Sequence, residues 1–542
     1  MRQLSILWAV FVMVGCGGGQ VAELQQAQSA AEPKPAQAQS LPQSATSRTF
    51  NGTEYIDTDP NDIPAQVFRL YSAAFSRASD ASGLGYHVGH IEKLGHSLHQ
   101  IAANFVGSPE FSSRYGSLTH AQFVTQLYAN VLGRSPDAQG LQFHQDNLES
   151  GRQSRGQVLV GFSESPENKT KTAAAVAAGI RFKSWLPPTA AGTIPVLRSS
   201  YENKAAAGAA MGPQTMPAGS NNGYAFADFF QDGSYSMVSH SLIYSKTRDP
   251  SLFGSISFYR KEGGQWVDRT AALLSDTKGC LHARKAVVAD FNGDNRPDVF
   301  FACHGFDFAP FGGEQQRVLL SQPNGTYQNV VVPVTCFCHA ASAADFDGDG
   351  FADVVVTDNM FKYRPFFLKN NRNGTFSEDL TRLPGVSNPE TDPDALHTKS
   401  IFTAELIDFR RSGKYDLFLA GSEPGANGPA TRHDFVPQIL TNDGSNKFIG
   451  TARQRLPVNT TYGMALDIVY IGDKIYLSRT GIQLPSRYYT EGVIEEVDYP
   501  AMTGKVTYHH AGVYPKQVSM LQWINWLIPF QGRAVAMDAA FN

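Results

Sequence analysis

Apolar side chains recur every three or four positions between about residues 63 and 185, which is the spacing of amphipathic helices. Val67, Leu70, Tyr71 and Ala74 form one such face. Beyond residue 222 the pattern changes to short apolar runs separated by Gly, Asn and Asp turns, which predicts strands. The chain is therefore expected to be multidomain, with an all-α region followed by an all-β region.

The predicted helical region contains an internal repeat. The pattern Leu-Tyr-x3-Phe/Leu-x-Arg-x2-Asp-x2-Gly-Leu-x-Tyr/Phe-His starts at Leu70 and again at Leu127, which is 127 − 70 = 57 positions later. Asp80 and its equivalent Asp137 precede a glycine by three residues, as expected of residues that cap a helix. Residues 63–185 are thus predicted to form a helical module of two similar 57-residue halves.

The strand-rich region repeats as well, with a leading aspartate in each unit. These aspartates are Asp228, Asp290, Asp345, Asp408 and Asp467, and the intervals between them are 62, 55, 63 and 59 residues. About four short strands per unit of this length match a β-propeller blade. Residues 223–542 are therefore predicted to form a propeller of six blades, with seven as the alternative.

Two of these units carry loops that are rich in oxygen ligands. The segments that begin at Asp290 and Asp345 place Asp or Asn at loop positions 1, 3, 5 and 9, with glycine at position 4. Calcium prefers six to eight oxygen ligands, and alternate residues of a tight turn plus one backbone carbonyl near position 7 supply most of them. The pattern predicts about two calcium sites with a structural role.

Both repeats resemble known families. The helical repeat resembles the bacterial domain-of-unknown-function 4214 family, and the strand repeats resemble the FG-GAP/VCBS repeats of the integrin α-type β-propeller. The first resemblance implies an all-helical module without assigned catalysis. The second implies calcium bound at the blade edge. It carries over two ligand sets: Asp290, Asn292, Asp294, the Arg296 carbonyl and Asp298; and Asp345, Asp347, Asp349, the Phe351 carbonyl and Asp353.

The amino terminus predicts export. Met1-Arg2-Gln3 precedes an apolar run from Leu4 to Val14 and then Gly15-Cys16, which describes a secretory signal peptide over residues 1–16. Cys16 in this setting resembles a bacterial lipobox cysteine, which implies a lipid anchor in a membrane; an ordinary signal peptide is the alternative. Gly17 after the anchor favours the outer membrane or the cell surface. Residues 17–62, rich in Gln, Ala, Ser and Pro, are predicted to be a disordered tether.

The remaining cysteines and the charge balance add two expectations. An even number of cysteines in an exported chain favours disulfides, although a zinc or copper site with neighbouring histidines is chemically possible. The residues concerned are Cys280, Cys303, Cys336, Cys338, His282 and His339. A formal net charge of −4 over 542 residues gives no indication of nucleic-acid binding. Residues 186–222 are predicted to be a Pro/Ala/Gly-rich linker.

The sequence predicts a lipid-anchored, calcium-stabilised binding or adhesion protein of the cell envelope, which recognises a protein or a glycan through its propeller. The alternative is an envelope hydrolase or lyase that acts on polysaccharide or lipid through a face lined by His282, His339 and His397. Nucleophile elbow, zinc-protease and phosphate-loop motifs are missing from the sequence, so no catalytic residue is assigned.

Overall fold

A computed structural model gives the fold of most of the chain beyond its amino terminus. The described residues are 48–50, 54–185, 187–217, 223–241, 243, 249, 251–386, 395–425, 432–481, 492–510 and 527–537. The predicted signal peptide, Cys16, Gly17 and the first part of the predicted tether lie outside them. None of the helices in the described part of the chain is both long and apolar enough to cross a membrane.

Eight α-helices build the first region. They are α1 (Ile63–Phe75), α2 (Ala81–Glu92), α3 (Leu98–Val106), α4 (Pro109–Tyr115), α5 (His120–Leu127), α6 (Ala138–Glu149), α7 (Arg155–Ser163) and α8 (Pro166–Ala177). A π-helical turn, Tyr128–Leu132, follows α5. The predicted caps are present: the carboxylates of Asp80 and Asp137 each accept a backbone N–H three residues on, both at 2.7 Å. The helical class predicted for this region is therefore confirmed.

A small sheet corrects the predicted end of the tether. Strand β2 (Tyr55–Asp57) is the centre of an antiparallel sheet, in which it pairs with β1 (Arg48–Phe50) and with β3 (Ile180–Phe182). The Tyr55 ring stacks on Phe182 at 5.4 Å between centroids, and the Arg48 guanidinium bonds the Asp62 carboxylate at 2.8 Å. The folded part thus begins before residue 63, because β2 pairs with a strand that follows the helices and β1 in turn pairs with β2.

The second region consists of successive antiparallel sheets in which neighbouring strands are consecutive in the chain. Five have four strands each: β4 (Tyr224–Ala227), β5 (Ser236–His240), β6 (Ile256–Glu262), β7 (Gln265–Asp268); β8 (Ala283–Ala289), β9 (Asp298–Cys303), β10 (Glu314–Ser321), β11 (Tyr327–Cys336); β12 (Cys338–Ala344), β13 (Asp353–Asp358), β14 (Arg364–Asn370), β15 (Phe376–Asp379); β16 (Ile401–Ile407), β17 (Asp416–Gly421), β18 (Gln438–Leu440), β19 (Arg453–Arg455); and β20 (Met464–Ile471), β21 (Lys474–Thr480), β22 (Gly492–Asp498), β23 (Thr503–His510). A further sheet has the two strands β24 (Leu527–Phe530) and β25 (Arg533–Ala536). These sheets confirm the predicted strand-rich class.

The predicted linker contains a helix that packs against several of the sheets. Helix α9 (Ser200–Met211) packs against the first strands β4, β8, β12, β16 and β24, and Lys204 extends to Asp467 of β20. A Cβ atom at Gly208 would stand 2.4 Å from the Ile528 Cβ, so this glycine permits the close approach of α9 to β24. The linker prediction was wrong here because this alanine-rich segment with polar residues has no distinct apolar face in its sequence. The helix is buried by contacts with six strands, most of which lie far from it in the chain. A short helix, α10 (Thr270–Leu273), lies between β7 and β8.

Four buried charged residues meet where α9 faces the sheets, and we refer to Lys204, Lys285, Glu405 and Asp467 as the central charge cluster. The Lys204 Nζ lies 2.8 Å from the Asp467 carboxylate and 3.7 Å from that of Glu405, which also pairs with Lys285. All four side chains are at most 8% exposed. Two positive and two negative charges balance, which is the condition under which buried charges are tolerated.

Candidate functional site

The Asp290 loop connects β8 to β9 and is closed by its own side chains. The Asp290 carboxylate accepts three backbone N–H groups of the following loop residues at 2.6 to 3.1 Å. Asp298 accepts two N–H groups from the loop at 2.7 and 3.1 Å, and Ser321 donates its hydroxyl to Asp294 at 2.8 Å. Asn292 donates its amide to the Ser321 carbonyl at 2.9 Å. The predicted ligands are thus brought onto one turn.

Burial perturbs the acids of this loop. It raises the pKa of Asp290 to about 7, although the ammonium of Lys93 acts in the opposite direction. Burial also raises the pKa of Asp298 well above its usual range, and the nearby charges of Asp294 and Asp290 add to the effect. Carboxylates crowded in this way repel one another, so a bound cation that neutralises them would stabilise the loop.

The Asp345 loop, between β12 and β13, brings its carboxylates closer together. Asp345, Asp347 and Asp349 each offer an oxygen atom, and these atoms lie within 4.8 Å of one another. The Asp345 Oδ1 atom is buried and has no hydrogen-bond partner. Burial and the neighbouring Asp349 raise the pKa of Asp345 to about 6. An unsatisfied buried oxygen beside two further carboxylates fits a bound cation, since calcium takes oxygen ligands.

The fourth predicted carboxylate of this loop is engaged elsewhere. Asp353 accepts the Asn370 N–H at 2.7 Å and pairs with the Arg382 guanidinium at 2.7 Å. Arg372 lies 2.5 Å from Asp349 and lowers the pKa of that carboxyl group. The predicted set of four carboxylates is therefore not gathered as a whole, because Arg372 in the β14–β15 turn and Arg382 in the segment after β15 pair with two of its members.

Residues of the helical region and of the small sheet contact the Asp345 loop. The Tyr55 hydroxyl donates to the Asp347 carbonyl at 3.0 Å. The Lys93 ammonium donates to the Gly350 carbonyl at 3.1 Å and lies 4.1 Å from the centroid of the Phe351 ring. Binding of a cation by the Asp345 loop would consequently affect the contacts that Tyr55 and Lys93 make with this loop.

The Asp408 loop shows why related turns differ. Its carboxylate accepts the N–H groups of Ser412 and Gly413 at 2.9 and 2.6 Å, as a turn-capping residue does. The Arg410 guanidinium lies 2.9 Å from Asp416, so a positive charge already stands beside the acid at loop position 9. This loop has the local fold of the other two but an unsuitable charge balance for a cation.

The cysteines lie at the other end of the strands. The structure pairs Cys280 with Cys303 and Cys336 with Cys338. Because β8 runs from Ala283 to the Asp290 loop, its cysteine end and its aspartate end are opposite each other. With these pairings the sulfur atoms are not thiolates, which favours the disulfide expectation over a soft-metal site.

Three buried histidines accompany the cysteines. The ring centroids of His282 and His304 are 3.8 Å apart, those of His304 and His339 are 6.4 Å apart, and Phe337 stacks on His304 at 4.3 Å. His304 directly follows Cys303, the last residue of β9, and Cys303 pairs with Ala283 at the start of β8. We refer to His282, His304 and His339 as the histidine cluster. No contact joins His397 to it among the described residues.

The histidine cluster is uncharged near neutral pH. Burial lowers the pKa of all three imidazoles well below the usual value, and the Arg284 guanidinium lowers each further. Arg284 itself lies 3.2 Å from the Asp307 carboxylate. The cluster is therefore a buried and neutral patch of the folded protein.

The cluster predicts a pH dependence of stability. Below pH 6.5 the unfolded chain protonates these histidines while the folded state keeps them neutral, so stability is lost as the pH falls. Each such histidine contributes a slope of about 1.4 kcal/mol per pH unit. His304→Gln should flatten the acid side of the unfolding free-energy profile by about that slope, as measured by denaturant titration. His99→Gln, at an exposed position, should not; equal slopes in both variants would contradict the prediction.

Models of known protein families match two segments of the chain. The profile of the family described as "Domain of unknown function (DUF4214)" matches residues 102–172, and the profile of the FG-GAP repeat matches residues 339–375. The second match spans the Asp345 loop. A search of curated proteins finds no match.

The similar solved structures include a GH43 β-1,3-galactosidase with galactodeoxynojirimycin. It is 13% identical, and the match covers 55% of this chain and 97% of that one with a TM-score of 0.29. A TM-score this low does not show that the two proteins share a fold.

Proposed function

We propose that the protein is a lipid-anchored, calcium-stabilised binding or adhesion protein of the cell envelope, which recognises a protein or glycan partner. The observation that carries this proposal is the division of the sheets into two ends. The aspartate-loop end contacts α9 and the helical region, whereas the opposite end carries the histidine cluster and the β13–β14 turn with its exposed Phe361. We assign recognition to that opposite end.

The recognition surface depends on a six-bladed β-propeller, which we propose as the arrangement of the sheets. First strands of successive sheets contact each other from β4 and β8 through β12, β16 and β20 to β24. In the two-stranded sheet, Leu527 joins the core of the β20–β23 sheet, whereas Ile528 joins the core that contains Ala225 and Phe226 of β4. A sheet whose two faces meet the preceding and the first sheet supports a closed ring.

We also propose that calcium binds the two aspartate loops. The unsatisfied Asp345 oxygen and the three converging carboxylates support the Asp345 site most strongly. The ion would hold the β12–β13 turn and, through Tyr55 and Lys93, the seat of the helical region. Calcium in this role stabilises the scaffold and takes no part in chemistry.

A binding experiment tests the recognition proposal. Phe361 is 49% exposed in the β13–β14 turn at the proposed recognition end, and Phe143 is 60% exposed on α6. The purified protein should bind a member of a panel of envelope glycans and proteins, and Phe361→Ala should weaken that binding about tenfold by removing an aromatic contact. Phe143→Ala is the matched control. Absence of binding across the panel, together with normal adhesion of a deletion strain, would refute the proposal.

Localisation is tested separately. We propose that Cys16 is lipidated and holds the protein in the outer membrane or at the cell surface. Cys16→Ala should abolish labelling by a fatty-acid probe and move the protein out of the membrane fraction. Membrane partition that is unchanged in this variant would show that the anchor lies elsewhere.

A further inference from the structure

A pair of histidines in the first half of the helical repeat stands apart from every site described above. His90 lies in the last turn of α2, and His96 follows the helix by four residues. Their Nδ1 atoms are 3.4 Å apart. Both side chains are half-buried and so remain in contact with solvent.

The fold positions the two rings. Gly95 has a φ of +69°, which turns the chain back over the end of α2, and the His96 N–H donates to the His90 carbonyl at 3.1 Å. The His90 ring packs against Tyr86 at 4.2 Å and against Trp185 at 4.6 Å between centroids. The imidazole of His90 is therefore held in place before any ligand arrives.

The separation of the two nitrogen atoms matches a metal chelate. Two imidazole nitrogens bound to one tetrahedral zinc ion, each about 2.0–2.1 Å from it, are about 3.3–3.4 Å apart. We propose that His90 and His96 bind a divalent transition-metal ion of the kind that imidazole prefers, namely Zn²⁺, Ni²⁺ or Cu²⁺. Water, or a donor group of a bound partner, would complete the coordination.

The local charges permit such an ion. The nearest basic residue in sequence, Lys93, is directed to the Gly350 carbonyl of the Asp345 loop. Glu92 pairs with Arg48. This site is independent of the proposed recognition function and of the calcium loops.

The second half of the repeat supplies a natural control. Its equivalent positions, 57 residues on, are Asn147 and Gln153, and the Gln153 N–H donates to the Asn147 carbonyl at 3.0 Å as in the first half. The backbone turn therefore forms without histidines. Replacement of His90 and His96 by the residues of the second half should consequently preserve the fold.

Metal titration tests the proposal. The full chain, saturated with Ca²⁺, is titrated with Cu²⁺ and Zn²⁺ by calorimetry, and Cu²⁺ coordination is followed by nitrogen hyperfine splitting in electron paramagnetic resonance. The double variant His90→Asn/His96→Gln should bind one equivalent less than the wild type, or bind that equivalent at least tenfold more weakly. His99→Gln, which removes an exposed histidine on α3, should bind as the wild type does.

A second variant, which introduces the histidine pair into the second half of the repeat, tests the proposal even if the double variant misfolds. We refer to this variant as the transplant. Asn147→His/Gln153→His should add one equivalent with two-nitrogen hyperfine structure. Equal stoichiometry in the wild type and the double variant, or no added equivalent in the transplant, would overturn the proposal. A double variant that loses thermal stability without metal while metal binding stays unchanged would show that the pair is only a hydrogen bond between imidazoles, which also overturns it.

Discussion

Removal of calcium is expected to lower the melting temperature of the sheet region. A ligand that binds only the folded state adds about 2.7 kcal/mol at a hundredfold excess over its Kd, and two sites would add about twice that. Without the ion, the crowded carboxylates of Asp345, Asp347 and Asp349 repel one another and the buried Asp345 oxygen stays unsatisfied. Calorimetry with calcium and with a chelator measures the shift.

Single substitutions locate the effect. Asp347→Ala, or Asn292→Ala in the other loop, should reproduce part of the destabilisation, and the combination should reproduce more of it. Because Tyr55 donates to the Asp347 carbonyl, hydrogen exchange in β2 should also accelerate on chelation. Asp408→Ala is the control: it removes a turn cap, so its cost should be the same with and without calcium. A melting temperature that does not respond to the chelator would show that the loops are turns only.

Disruption of the central charge cluster is expected to have the largest effect of any single substitution. Glu405→Gln leaves Lys204 and Lys285 with the carboxylate of Asp467 alone, so one positive charge is buried without compensation. Loss of one partner of a buried ion pair costs about 3–5 kcal/mol. The unfolding free energy of the sheet region should fall by that amount in denaturant titration, and α9 should become accessible to protease because the cluster ties it to β16 and β20.

A surface ion pair is the matched control for this prediction. Lys474 lies 3.0 Å from Asp498 and also pairs with Glu496, but its side chain is 42% exposed. Lys474→Met should cost at most about 1 kcal/mol, because water screens the pair. If Glu405→Gln costs no more than Lys474→Met, the central charge cluster is not what holds α9 against the sheets.

Local signals in the sequence predicted much of the fold. Asp80 and Asp137 cap their helices as expected, since a cap depends on residues three positions away. The change from helical to strand spacing near residue 222 matches the change in structure, because periodicity reflects which face of an element is buried. The turns that begin at Asp290 and Asp345 were likewise visible from residue spacing alone.

The sequence did not predict the long-range partners of charged and aromatic residues. Arg372 pairs with Asp349, which stays beside Asp345 and Asp347, and Arg382 pairs with Asp353, although each arginine lies far from its partner in the chain. His304 joins the histidine cluster because β8 and β9 pair, whereas His397, which also precedes a repeat aspartate in the sequence, makes no described contact with the cluster.

The sequence by itself determined the class of each region, the helix caps and the turns that carry the aspartates, because these depend on neighbours within a few residues. Only the tertiary structure decided that Ser200–Met211 is a helix among the sheets and that Lys204 meets Glu405 and Asp467. An alanine-rich helix with a buried lysine is stable only when packing and opposite charges from distant strands offset the desolvation of that lysine. No local pattern contains that information.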